Sequence, residues 1–176
     1  MDTGPKLPKL NHWTIAGIWI VLLLITTALF NGVLDDINNP NQQLTVSINS
    51  DGEKEIVLTR NRYGHYVATG KINGQMVNFL LDTGATLVVV PEHIATQLNL
   101  KKGYGFQSET ANGMSQSYAS LLDSVSLGDI VMTNVQGSIS TGMEFDEILL
   151  GMSFLKHLNM SQQGKTLILS LPEEHR

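Results

Sequence analysis

Apolar and polar positions divide this chain into two unlike parts. From Trp13 to Leu34 no charged residue occurs, and Ile15 to Phe30 is almost wholly apolar. A charge-free run of about 22 residues is long enough, as a helix, to cross roughly 30 Å of hydrocarbon. After Leu44 the apolar residues fall instead into short runs broken by Gly, Asn and Asp, the pattern of an all-β domain. Strands are predicted over 44–48, 55–59, 66–72, 75–81, 105–110, 116–122, 130–140 and 166–171. Leu87 to Val90 and Ile148 to Leu150 are wholly apolar and predict short buried strands. Asn73-Gly74 lies between two of these runs, and both residue types tolerate the positive φ of a tight hairpin turn.

Two short helices interrupt the strands. Pro91 opens one that runs to Leu98, with Glu92 placed to complement its dipole, and Ser153 caps another that runs to Leu158. Between the long apolar run and the β pattern, Asn31 to about Gln43 is rich in Asn, Asp and Gln and reads as a tether. About 130 residues remain for the ectodomain, one domain by size.

Charge orients the apolar run. Lys6 and Lys9 precede it, and Asp35 and Asp36 follow it. Positive flanks stay in the cytoplasm, so the expected topology is N-terminus inside and domain outside, on the periplasmic or an equivalent face of the inner membrane. A cleavable signal would show a shorter apolar core ending in a small-x-small site. Thr26-Thr27-Ala28 is a poor version of that site and sits inside the apolar run, so an uncleaved anchor is the expectation.

Composition removes several classes of function. Charged residues make up 15% of the 176, and the net charge of -5 gives no electrostatic basis for binding nucleic acid. Cysteine is absent, which excludes disulfides, a thiolate nucleophile and cysteine-ligated zinc. The five histidines, His12, His65, His93, His157 and His175, show no i, i+4 pair, so neither a metal site nor a cofactor is expected. Ser153 lacks the closing glycine of a nucleophile elbow, and Asp123 and Asp129 are assigned to turns.

One triplet remains. Asp-Thr-Gly occurs at Asp2-Thr3-Gly4 and again at Asp82-Thr83-Gly84. Such a triplet arises by chance in roughly one chain in ten of this length, and the copy at Asp2, at a polar terminus with no strand before it, is assigned to chance. Asp82 differs because it ends the apolar strand Val77 to Leu81, where the chain turns within the core. A carboxylate there is costly unless it is paired or functional. Gly84 permits a tight turn, Ala85 keeps it small, and Thr83 supplies a hydroxyl. The plainer reading is an Asp that bonds only its own turn.

Phe79-Leu80-Leu81-Asp82-Thr83-Gly84-Ala85 followed by an apolar strand resembles the active-site turn of retropepsin-like aspartic proteases. About 65 residues on, Leu149-Leu150-Gly151 leading into a short helix is similar to that family's second signature. Between them Ala111-Asn112-Gly113-Met114 has the character of a hairpin tip, where the family places its substrate-covering flap. With the anchor, the wording is most similar to bacterial membrane-anchored, single-domain members. The flap lacks an Ile-Gly-Gly tip, and Met152 stands where the viral enzymes carry arginine.

The resemblance implies a retropepsin-like acid protease half-barrel behind an N-terminal transmembrane helix. The expected division is 1–12 cytoplasmic, 13–34 spanning, 35–50 tether and start of the ectodomain, and 51–176 the protease domain. It also implies Asp82 as catalytic carboxylate and a peptide or protein substrate. The chemistry needs two carboxylates and only one credible triplet is present, so a homodimer is implied. Apolar walls at Leu87, Val89 and Ile148 would suit hydrophobic substrate side chains. The reading from a different class is a non-catalytic dimerisation or peptide-binding module that keeps the fold.

Overall fold

A computed structural model of the chain describes residues 11–48, 54–110 and 113–172. It divides into two units, Met1–Asp35 and Asp36–Arg176. The first is dominated by one long helix, α1 (His12–Asn38), which continues three residues into the second unit. Its apolar side chains from Trp13 to Phe30 are exposed, and it is long and apolar enough to cross a membrane.

The second unit is mostly β. In chain order it contains β1 (Thr45–Ile48), β2 (Lys54–Thr59), β3 (Val67–Ile72), β4 (Gln75–Leu81), β5 (Val88–Pro91), α2 (Glu92–Gln97), β6 (Gly105–Thr110), β7 (Gly113–Leu127), β8 (Ile130–Ser140), β9 (Ile148–Leu150), α3 (Met152–Leu155), β10 (Asn159–Gln163) and β11 (Thr166–Ser170). Six strands form a closed ring in the order β3-β4-β9-β5-β8-β7, with β7 pairing back onto β3 at Ile72 and Val125. Closure requires close approach: a Cβ on Gly70 would stand 2.4 Å from the Ser126 carbonyl oxygen. The ring is filled by fully buried apolar side chains, among them Phe79, Leu122, Ile139, Leu150 and Phe154. A second sheet runs β1-β2-β11-β10.

Local chemistry explains much of this. Asn73 and Gly74 take φ of 49° and 80°, as the β3–β4 hairpin demands. The Asn73 side chain also accepts a hydrogen bond from Ser124 N and pins the turn to β7.

Several expectations are corrected. α3 ends at Leu155, three residues early, because the chain turns there to start β10, a strand of polar residues that carried no apolar signal. Ser153 does not cap α3; Gly151 occupies the cap position. Asp123 lies within β7 and serves no turn. Ile148 is fully buried, so it walls no cleft, whereas Leu87 and Val89 are half-buried. The stretch taken as a tether is helical to Asn38 and then packs against the domain. Asn41 Nδ2 donates to the carbonyls of Thr59 and Val67, Asn41 Oδ1 accepts from Thr59 N, and Asn39 Nδ2 donates to Thr69 Oγ1 and Asn78 Oδ1. Both asparagines are buried, and their amides satisfy main-chain groups that would otherwise be orphaned.

Candidate active site

The order of the ring determines how the two sequence signatures meet. β9 lies between β4 and β5, parallel to β4 with Leu80 opposite Leu149, and antiparallel to β5 with Val89 opposite Leu149. The loop joining β4 to β5 is residues 82–87, so it must pass over the end of β9. Asp82 and Gly151 are therefore brought to the same end of neighbouring strands.

Hydrogen bonds then clamp the loop. Asp82 N donates to Leu150 O at 3.2 Å, Met152 N to Ala85 O at 2.8 Å, and Ser153 N to Thr86 O at 2.9 Å. Ser153 Oγ accepts from Val88 N at 3.0 Å and donates to Gln136 O at 2.7 Å, so one hydroxyl ties β5 to β8 beneath the loop. Gly151 is the point of closest approach; a Cβ there would lie 2.5 Å from the Ala85 carbonyl oxygen. Sequence reasoning missed the part played by Ser153. The available signal was a hydroxyl two residues after that glycine, in an otherwise apolar stretch.

Asp82 closes its own turn in part. Its Oδ1 accepts from Gly84 N at 2.9 Å, and its main-chain carbonyl accepts from Ala85 N. The plainer reading of this carboxylate thus describes one of its oxygens. The other has no hydrogen-bond partner among the described residues. The loop does not turn within the core: Asp82 and Ala85 are half-buried, and Thr83 and Gly84 are exposed. The reason is topological, since the turn lies beyond the strand ends that delimit the packed interior. In a single protomer the arrangement presents one carboxylate, rigidly mounted, at a surface.

Of the hairpin-tip residues, Ala111 and Asn112 lie outside the described residues. Gly113 and Met114 open β7, which pairs with β6 up to Thr110 opposite Gly113. Gly113 takes a φ of 102°, and the Met114 side chain is 67% exposed. Elsewhere at the surface, side-chain contacts join α2 to its neighbours. His93 Nε2 lies 2.9 Å from Asp146 Oδ1, joining α2 to the segment before β9. Lys102 donates to Glu92, and that hydrogen bond raises the ammonium's pKa above the ordinary lysine value.

A family model described as "gag-polyprotein putative aspartyl protease" matches residues 68–157, which include the Asp82 loop, β9 and α3. The chain belongs to the retropepsin-like aspartyl protease family. Among solved structures it is similar to a retropepsin-like aspartic protease from Rickettsia conorii, with 30% identity and a TM-score of 0.56 over 65% of this chain and 98% of that one. A Sinorhizobium protein described as "Uncharacterized protein in cobV 5'region" is 28% identical over 169 residues, 90% of this chain and 70% of its own length. A Rickettsia prowazekii (strain Madrid E) protein is 30% identical over 118 residues, 65% of this chain. The chain spans half the length of that last relative. The fold is accordingly the mostly-β retropepsin-like one with short helices, preceded here by a long apolar helix.

Proposed function

We propose that this retropepsin-like protein is a membrane-anchored aspartic endopeptidase whose working unit is a pair of chains. The observation that carries the proposal is the clamped loop: three main-chain hydrogen bonds from 82–86 to Leu150, Met152 and Ser153 fix Asp82 at the end of β4. A catalytic group held by rigid elements costs little reorganisation when it acts.

Two Asp82 carboxylates, one from each chain, would face one water. Like charges that close cannot both ionise readily, so one keeps its proton while the other acts as base. The ionised carboxylate takes a proton from water as its oxygen attacks the peptide carbonyl carbon. The protonated partner donates to the carbonyl oxygen, and the tetrahedral intermediate collapses as the leaving nitrogen is protonated. Thr83, exposed beside Asp82, would support the meeting of the two turns. Ala111, Asn112, Gly113 and Met114 would cover the bound peptide.

α1 would hold the domain at the membrane with the N-terminus in the cytoplasm and the protease outside it. Confinement to a plane raises the local concentration of partners, which favours pairing of weakly self-associating domains. The deciding experiment is hydrolysis of an unstructured protein by wild type and by Asp82→Asn. The variant should lose activity by at least about a thousandfold, the scale of removing a member of a concerted acid–base pair, with its unfolding curve unchanged. An Asp82→Asn protein that still cleaves overturns the assignment.

A further inference from the structure

One loop of the second unit is fastened to the last residue of α1 by a single side chain. Asn61 Nδ2 donates to Asn38 O at 2.9 Å, one of the carbonyls that a helix C-terminus leaves open. The same asparagine shapes the loop, since its Oδ1 accepts from Tyr63 N and from His65 N, both at 3.0 Å. The turn between β10 and β11 lies alongside, with Arg60 N donating to Lys165 O at 2.8 Å.

These segments carry three cations, Arg60, Arg62 and Lys165, and none of them is in an ion pair among the described residues. By contrast Lys54, at the other end of β2, is paired with Asp129, and Lys102 with Glu92. Arg62 stands 4.7 Å over the Tyr63 ring, and Tyr63 is 59% exposed. The acidic residues closest in sequence to Asn38 are Asp35 and Asp36, and Asp36 Oδ1 accepts from Gln42 Nε2. Positive charge is therefore in excess here, in a chain whose net charge is -5.

The helix sets the height of this loop. The apolar run ends at Leu34, and Asn38 is four helical residues further on, a rise of about 6 Å. The headgroup layer of a bilayer is roughly 5–8 Å deep on each side of the hydrocarbon. Where Leu34 ends the hydrocarbon span, Asn38 and the Asn61 bonded to it stand at headgroup level.

We propose that the 60–65 loop and Lys165 dock on the membrane surface and bind the phosphates of anionic phospholipids. The inference rests on α1 being a membrane anchor, and it adds a second, lipid-selective contact made by the domain itself. Each lysine or arginine beside an anionic surface raises its occupancy by roughly fivefold. The Tyr63 ring, apolar with a polar tip, suits the boundary between headgroups and chains.

The chain contains no cysteine, so single labelled cysteines report cleanly. Full-length His65→Cys and Val131→Cys, each carrying a fluorophore, are reconstituted in vesicles whose headgroups bear a spin-label quencher. Val131 is exposed and lies two residues beyond Asp129, the partner of Lys54 at the far end of β2. With phosphatidylglycerol in the bilayer, the His65 probe should be strongly quenched and the Val131 probe nearly unaffected. Replacing phosphatidylglycerol by phosphatidylcholine should cut the quenching at least about fivefold, the weight of one cation. Arg60→Gln/Arg62→Gln/Lys165→Gln in the His65→Cys chain should do the same, with its unfolding curve in detergent unchanged. A His65 probe quenched equally in both lipids, or a Val131 probe quenched as strongly, overturns the proposal. So does a triple variant that unfolds more easily yet stays quenched, because its cations then serve only the C-terminus of α1. If the triple variant is both destabilised and unquenched, the comparison of lipids decides. A chain that floats with the vesicles while its His65 probe is unquenched refutes the docking alone. One that does not float refutes the anchor, and this inference with it.

Discussion

Gly151 sits beneath the carbonyl of Leu87 with no room for a side chain: a Cβ there would lie 2.2 Å from that oxygen. The second signature therefore acts on the first by contact, since one glycine sets how far the Asp82 loop can descend onto the end of β9.

Gly151→Ala should accordingly destabilise the domain by about 1–3 kcal/mol, the usual range for forcing extra volume into a packed site. The obstacle is main chain on both sides, Ala85 and Leu87, and cannot swing away as a side chain would. Urea unfolding of wild type and variant measures the loss, and the proposed activity should fall with it.

Ser153→Ala should be costly for a residue on so short a helix. The hydroxyl serves Val88 N and Gln136 O together, and its removal leaves both without that partner. Unsatisfied groups of this kind cost about 1–3 kcal/mol. Amide exchange should accelerate at Val88 more than at β10, whereas uniform acceleration would indicate only a general loss of stability.

Mixing tests the need for two carboxylates. If one Asp82 per pair is insufficient, an equal amount of Asp82→Asn chain added to wild type should roughly halve the rate by random pairing. Activity unaffected by the inactive chain, under conditions where subunits exchange, would show that single chains cleave.

Asn41→Ala should destabilise the domain by more than about 2 kcal/mol, because the Asn41 side chain serves three main-chain groups of Thr59 and Val67. By the same reasoning, a soluble segment starting at Leu44 should melt below one starting at Asp36. Thermal unfolding of the two segments gives the comparison.

The strands and the Asn73-Gly74 turn were legible in the sequence because their signals are local: apolar runs, and two neighbouring residues that accept positive φ. The contact between the signatures was foreshadowed only by resemblance, since β9 reaches its place between β4 and β5 across more than sixty residues of chain. Polar residues with distant partners were the ones misread. Asn41 bonds Thr59 and Val67, 18 and 26 residues away, and Ser153 bonds Val88 and Gln136, 65 and 17 residues away. No window along the chain contains both ends of such a bond. β10 was missed for a related reason, as a polar edge strand lacks the alternation that marks a half-buried one.

The asparagine strap after α1 bears on where the domain could be cut free of that helix. A protease cuts extended chain that it can draw into a cleft. The main chain around Asn39 and Asn41 is instead engaged on the domain, with Asn41 O accepting from Thr69 N and Asn41 N donating to the Asn39 side chain. Release by a cut between these residues would first require the strap to peel from β2 and β3, which would loosen the fold that cutting was meant to free. A cut before Asp36 leaves these contacts whole, so the boundary between helix and strap marks where the domain could be separated with its fold intact.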